Sequence, residues 1–269
     1  MIVDHYGLDW QWESSISDCV NRILVIDDLA DRAHDCDALL DCVYGRKVSD
    51  YKSLVPRGSK LLLGTKYAPL RPEFLNWREI ALERRRNLQG VRKILVSLGG
   101  TDKSNLTGKV LTQLSRLELP DNIEIEVVVG LAFAHLKRVE DQIASLPIKI
   151  SLDVGATNMA SRIVEADLGI GAIGVSTWER FCLGLPAVNL ITESYQLEAV
   201  AVLQEQNFSG ILHSSRMDNE LAPTLNKLVF DQSMYRKYAD LCSQAIDGKG
   251  LFRLLDTLKV NQHEENIVK

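Results

Sequence analysis

Apolar and polar positions along the chain follow two periods. Short continuous apolar runs at 23–26, 38–40, 61–63, 93–98, 123–129, 148–152, 167–170, 187–191 and 210–212 read as buried strands. Apolar residues at helical spacing predict helices over 73–87, 106–117, 136–144, 158–165, 175–183 and 196–207, and two more, over 221–228 and 233–245, towards the end. Asn158 stands where the fourth of these needs a cap. Met1-Ile2-Val3 reads as the end of a parallel strand that runs into a turn at Asp4-His5-Tyr6-Gly7. The proline-bearing stretches 50–58 and 66–72 read as loops, because proline removes a ladder donor and drives its predecessor towards extended backbone. Strands alternating with helices imply an α/β fold, with parallel sheets covered by helices on both faces. Residues 1–90 carry too few strands for an independent sheet, so they read as the carboxyl-terminal part of a Rossmann-like domain whose opening strands are missing. Residues 91–269 read as a second Rossmann-like domain with terminal helices, which binds a nucleotide across a cleft between the two.

Composition narrows the class. Of the 269 residues 46% are hydrophobic and 25% charged, which excludes disorder, collagen-like repeats and a coiled coil. A formal net charge of −5 gives no basic field for nucleic acid or anionic lipid, and the run Glu83-Arg84-Arg85-Arg86 reads as a solvated helix face. Five cysteines, at 19, 36, 42, 182 and 242, form no Cys-x-x-Cys pair, and their odd number fits a reducing compartment, so a cytoplasmic location is expected. No apolar run approaches the length of a membrane span, about 18 residues, and no basic segment followed by an apolar one opens the chain.

The chemistry gathers in the stretch from Ala166 to Pro186. A short strand leads into the small residues Gly171, Ala172 and Gly174, and a helix follows with Val175, Ser176 and Thr177 in its first turn. Such a helix start offers unpaired N–H groups and a positive dipole end to a phosphate, while Glu179, one turn in, can accept from a ribose diol. The same glycines also serve close packing of strand on helix, and both readings stay open. A second strand end carries Gly99-Gly100-Thr101-Asp102, and a third Gly155-Ala156-Thr157-Asn158. Neither glycine loop has the Lys-Ser/Thr of a P-loop or the Gly-x-Gly-x-x-Gly of a dinucleotide site. His5 reads as a general base or a structural histidine, and Tyr6 as a sugar contact or a packing residue. Asp27-Asp28 reads as a divalent-metal pair or as the cap of a following helix; without a third ligand at suitable spacing, no metal and no cofactor are expected. His34, His135, His213 and His263 sit in polar contexts without metal spacing.

The central stretch, with Asn158-Met159-Ala160 before it and Gln196 after it, is similar to the nucleotide-binding half of the GT-B superfamily, to which the glycosyltransferase that completes lipid II belongs. Nearly the whole chain resembles the UDP-sugar hydrolases of pseudaminic acid biosynthesis, the PseG family. The resemblance is carried in order by Asp4-His5-Tyr6-Gly7, Ile26-Asp27-Asp28-Leu29-Ala30, Cys36-Asp37, 51–56, Leu63-Gly64-Thr65-Lys66-Tyr67-Ala68-Pro69-Leu70-Arg71, Ser97-Leu98-Gly99-Gly100-Thr101-Asp102, Trp178-Glu179-Arg180 and Asp247-Gly248-Lys249-Gly250. It implies metal-free hydrolysis of UDP-2,4-diacetamido-2,4,6-trideoxy-β-L-altropyranose, with water attacking the anomeric carbon and inverting it.

Carried over residue by residue, the resemblance sets Gly99, Gly100 and Gly174 against the diphosphate. Thr101 belongs with the first loop, and Gly171, Ala172, Val175 and Ser176 with the second. Glu179 would hold the ribose, Gly155, Ala156 and Asn158 the uracil, and Tyr6 and Gln196 the sugar side. Two positions depart from the pattern: Tyr195 replaces an Asn and Ile173 a Gly. The family's Gly-His-x-x-Arg, whose histidine activates the water, has no counterpart here, and its place falls upstream of Met1. The chain therefore reads as an amino-terminally shortened member that binds the small-molecule UDP-sugar but turns it over very slowly or not at all, and that self-associates through its unfinished sheet or needs a partner chain to cover it. A GT-B glycosyltransferase and a non-catalytic UDP-sugar-binding remnant are the alternatives. No nucleic-acid or membrane partner is expected.

Overall fold

The computed structural model describes residues 1–206, 208 and 210–258; His263 and Asn207, the expected end of one helix, lie outside them. The chain divides into two units, one formed by residues 1–72 with the segment from Asp247 onward, the other by 73–246. Both are α/β, as the alternation of periods predicts, but the division falls elsewhere than at residue 90.

In the first unit, β1 (Ile2–Val3), β2 (Leu24–Ile26), β3 (Ala38–Asp41) and β4 (Lys60–Leu63) form a parallel sheet in the order β1-β2-β3-β4. One face packs Val3, Val25, Leu39 and Tyr51 into a small core. Helix α1 (Trp10–Ile16) went unread in the sequence; Asp9 caps it by accepting from the Gln11 N–H at 3.0 Å. Helix α2 (Val48–Tyr51) occupies the start of a stretch expected to be loop, since the prolines there act only after Tyr51. Asp27-Asp28 caps no helix, because bends and loop lead from β2 to β3.

Helix α3 (Pro72–Arg86) begins the second unit. It is followed by β5 (Lys93–Ser97), α4 (Leu106–Leu114), β6 (Glu124–Val129), α5 (Leu136–Ser145), β7 (Ile150–Val154), α6 (Met159–Glu165), β8 (Leu168–Ala172), α7 (Val175–Cys182), β9 (Ala187–Ile191), α8 (Gln196–Glu205), β10 (Ile211–His213), α9 (Met217–Phe230) and α10 (Gln232–Ala245). The six strands are all parallel, in the order β10-β9-β8-β5-β6-β7. Winding starts at β5, runs outward to β7, then returns to the other side of β5 at β8, so the topological switch lies between β5 and β8. The core under this sheet joins Ile94, Val127, Ile170 and Val188 to Leu111 of α4 and Leu221 of α9, all at most 1% exposed. Gly171 and Ala172, expected in a turn, extend β8 by two residues beyond the expected end.

Helix α11 (Gly250–Leu258) returns to the first unit, where Leu254 packs with Leu24, Ala38, Leu40 and Leu62. Gly250 is obligatory there, because a Cβ would stand 2.2 Å from the Ala68 carbonyl oxygen.

The arginine run of α3 is not a solvated face. Arg84 pairs with Asp167 at 2.6 Å, and Arg85 is 2% exposed. The Arg85 guanidinium donates to Ile163 O and Ala166 O at 2.5 Å each and to Val164 O at 3.2 Å, closing the carboxyl end of α6. We expect Arg85→Met to destabilise the protein by about 2–4 kcal/mol, the scale for stranding buried acceptors of a charged donor, with Arg85→Lys recovering only part because one ammonium cannot reach all these carbonyls. Urea unfolding of the two variants measures this.

Candidate functional site

The carboxyl ends of β9, β8, β5, β6 and β7 stand side by side, so they bring Gln196, the 171–179 stretch, Gly99-Gly100-Thr101 and the 155–158 stretch along one edge of the second sheet. At the switch, Ser97 of β5 is the register partner of Gly171 of β8, which sets the two glycine loops next to each other. Tyr6 lies in the first unit.

The two helices leaving the switch differ at their starts. Helix α4 is closed by its own sequence: Asp102, 8% exposed, accepts from the Leu106 and Thr107 N–H groups at 2.8 Å each, and Asn105 from that of Gly108 at 3.2 Å. Helix α7 starts at Gly174, which has no side chain, and the N–H groups of Val175 and Ser176 take no partner among the described residues. Gly174 has φ +150°, a conformation that side chains resist, and open space where its Cβ would be. Gly99 and Gly100 have the same open space. The free donors therefore belong to α7. Ser176 is half-buried and Glu179, one turn along, is half-buried too.

Arg180, on the inner side of α7, is 3% exposed. Its Nη2 donates to Asn189 Oδ1 at 2.7 Å, Ala172 O at 3.0 Å and Thr177 Oγ1 at 3.3 Å, and its Nη1 to Ser176 Oγ at 3.2 Å. Gly171 and Gly169, on one face of β8, make room for it: a Cβ on Gly171 would lie 2.4 Å from Nη1, and one on Gly169 3.1 Å from Cδ. The glycine at 171 thus admits a guanidinium from behind. In the sequence Arg180 stands as part of the Trp178-Glu179-Arg180 signature, without a role of its own; the signal for one was two glycines spaced by two in a buried strand, ahead of an arginine within a buried helix.

Gln196, 8% exposed, accepts from the Thr192 N–H at 2.9 Å and the Glu193 N–H at 3.2 Å and donates to Ile173 O at 3.0 Å, bracing the loop before Gly174. Asn158 stands at the N-cap of α6 without capping it; its Oδ1 accepts from Arg162 Nε at 2.8 Å, and Arg162 also pairs with Glu126 and Asp153. Thr101 is exposed, and Gly155 and Ala156 are half-buried.

In the first unit, exposed Tyr6 donates to Asp28 Oδ2 at 3.2 Å, and His5 Nδ1 accepts from the Gly7 N–H at 3.0 Å. Asp27 and Asp28 belong to a buried network with Asp41. Tyr51, fully buried, sits 2.7 Å from both Asp27 Oδ2 and Asp41 Oδ2. Asp27 also accepts from the Ala30 N–H at 2.9 Å and pairs with Arg32 at 2.9 Å; Asp41 pairs with Arg46. Burial works to raise the Asp27 pKa, but the Tyr51 hydroxyl, the Ala30 N–H and the charge of Arg32 outweigh it and hold it below the ordinary value. For Asp41 burial wins, against the Val43 N–H, Tyr51 and Arg46, and its pKa is raised; burial raises Asp28 as well. His34 is no surface histidine: it is 3% exposed, with Nδ1 2.8 Å from the buried Glu13 carboxylate. Among the described residues no group of three His, Cys, Asp or Glu side chains could hold a metal ion, and no helix is long and apolar enough to cross a membrane.

These features define an α/β protein of GT-B-like fold. MurG of Acinetobacter baumannii superposes with a TM-score of 0.64 over 93% of this chain and 70% of that one, at 17% identity. In sequence the chain is related at family level to the UDP-2,4-diacetamido-2,4,6-trideoxy-β-L-altropyranose hydrolase of Campylobacter jejuni, 29% identical over 62% of this chain and 57% of that protein. It is likewise similar to the spore coat polysaccharide biosynthesis protein SpsG of Bacillus subtilis, 25% identical over 83% of this chain and 64% of that protein. The chain spans 41–64% of the length of the curated relatives it matches. No protein-family model matches it.

The Tyr51 hydroxyl carries one hydrogen between two carboxylates, so it donates to one of them at a time. Asp27, with its pKa lowered from 3.8, contributes stability that is present above that value and lost as pH falls through the lowered one. Asp41, with its pKa raised, contributes in the opposite sense: stability is full below 3.8 and is lost as pH rises through the raised value. Tyr51→Phe should cost about 1.5–3 kcal/mol at pH 7, the scale of a hydrogen bond to a charged group, and less at a pH below the lowered Asp27 value, where that carboxylate is neutral. Amide exchange of Val25 and Leu39 at the two pH values reads this, and an equal deficit at both would count against the Tyr51–Asp27 bond.

Proposed function

We propose that the second unit binds the UDP portion of a UDP-sugar and that the chain serves the hydrolysis of UDP-2,4-diacetamido-2,4,6-trideoxy-β-L-altropyranose, the reaction named in its Campylobacter jejuni relative. The observation that carries this reading is the uncapped start of α7 at the topological switch, beside Gly99 and Gly100. Backbone N–H groups and a helix dipole hold a diphosphate there without a metal, and they favour the charge that develops on the departing phosphate. Gly99, Gly100, Thr101, Gly171, Ala172, Gly174, Val175 and Ser176 form this phosphate end. Glu179 accepts from the ribose hydroxyls, and Gly155, Ala156 and Asn158 meet the uracil. Gln196 acts by holding Ile173 in place. In the reaction the anomeric carbon–oxygen bond to UDP breaks, the oxygen of water bonds that carbon from the opposite face, and the water loses a proton. The products are UDP and the free sugar.

A sugar transferase of the same fold is the second reading, favoured by the likeness to MurG. It is separated by the product, because hydrolysis releases free sugar with no acceptor present.

Calorimetry tests the nucleotide assignment. UDP should bind far more tightly than ADP, and Glu179→Ala should weaken UDP by about 1.5–3 kcal/mol, the scale of a hydrogen bond to a charged group. Equal affinity for the two nucleotides, or no effect of Glu179→Ala, would remove uridine from the reading.

A further inference from the structure

Arg180 is a buried cation whose hydrogen bonds all go to neutral groups; the negative charge that acts on it comes from Glu179, its neighbour in the chain. All its partners are neutral: one backbone carbonyl, two hydroxyl oxygens and one amide oxygen, from Ala172, Ser176, Thr177 and Asn189. Its Nε is buried with no hydrogen-bond partner. Burial lowers its pKa to about 10, so it remains charged at neutral pH. A charge in this setting costs stability unless something repays it. The sequence has gone out of its way to place it, since β8 gives up side chains at Gly169 and Gly171 to let the guanidinium lie beneath the loop that leads to Gly174.

What the guanidinium touches tells what it does. Arg180 and the unpaired N–H groups of Val175 and Ser176 gather at one helix start, so positive potential reaches the loop surface from two sources. Ser176 Oγ accepts from Nη1, which leaves the Ser176 hydrogen to be donated elsewhere. Val175 is exposed and Ser176 half-buried, so the donors are open to a ligand while the charge behind them is not.

We propose that Arg180 is the positioning residue of the phosphate end: a fixed charge behind the loop from Gly171 to Gly174 that aims the Ser176 hydroxyl outward and makes this helix start selective for a diphosphate anion. The inference rests on the reading of this loop as the diphosphate site, and goes beyond it by assigning the charge to a residue that never touches the ligand. Direct contact is left to backbone and hydroxyl donors, and strength is supplied from below.

The test uses UDP, ADP, uridine and inorganic pyrophosphate as probes, with calorimetry for the anions and ligand-observed NMR for uridine. Arg180→Gln should weaken UDP and pyrophosphate at least tenfold while leaving uridine within twofold, and Arg180→Lys, which keeps the charge, should stay within about threefold of the parent for all. A merely structural arginine would instead weaken uridine and pyrophosphate together, with Lys no better than Gln, and that result overturns the inference. Unchanged UDP and pyrophosphate affinity in folded Arg180→Gln overturns it too, while leaving the uridine reading intact. Pyrophosphate binding that depends on Arg180, with UDP and ADP bound alike, removes uridine and leaves Arg180 standing. Where Arg180→Gln fails to fold, Gly171→Ala carries the test, because its Cβ displaces the guanidinium end without removing the charge from the protein. It should weaken pyrophosphate and spare uridine, and equal losses of both overturn the inference.

Discussion

Strand β8 is held at both ends by buried charge, and the second unit is arranged around that fact. At its entry Asp167, 1% exposed, accepts from the Arg92 and Lys93 N–H groups at 2.8 and 2.9 Å and pairs with Arg84. This locks β8 against β5 where the sheet switches direction. At its exit Arg180 lies under Gly169 and Gly171 and ties β8, α7 and β9 together through Ala172, Thr177 and Asn189. A register slip of one residue would turn the glycine face of β8 away from Arg180 and put Leu168 and Ile170 over it. The strand that carries the loop is therefore the strand whose position is least free to vary.

Much of this was legible in the sequence because parallel strands buried on both faces read as unbroken apolar runs. Runs at 93–98, 123–129 and 187–191 became β5, β6 and β9 with ends shifted by at most a residue. The 171–179 stretch was legible for a related reason: glycine, small residue and hydroxyl at a strand-to-helix junction report backbone geometry directly.

What escaped the reading depends on contacts distant in sequence. The Glu83-Arg84-Arg85-Arg86 run has the composition of a solvated face, and nothing local shows that the carboxyl end of α6, some 80 residues on, supplies the carbonyls that bury Arg85. His34 has no role in its polar local context until Glu13 is placed beside it, and Tyr51 reads as a loop residue until two aspartates converge on its hydroxyl. The unit boundary misled for the same reason. Helix α3 follows the first sheet in the chain but gives its arginines to the second unit, and α11, at the far end, returns Leu254 to the first.

The two glycine loops at the switch show how small a sequence difference separates a helix start closed by its own side chains from one left open. Both follow a buried parallel strand, and both open a helix. After Gly99-Gly100 the chain supplies Asp102 and Asn105, whose side chains take the N–H groups of Leu106, Thr107 and Gly108 and leave α4 with no donors to offer. After Gly171 it supplies Gly174 at the cap, with no side chain to take them, and an arginine where packing alone would favour an apolar residue. An acidic cap at 174 would satisfy the same amides, set a negative charge at the helix start and neutralise Arg180 from above. The absence of that side chain leaves the Val175 and Ser176 amides open and sets no further negative charge above the Arg180 guanidinium.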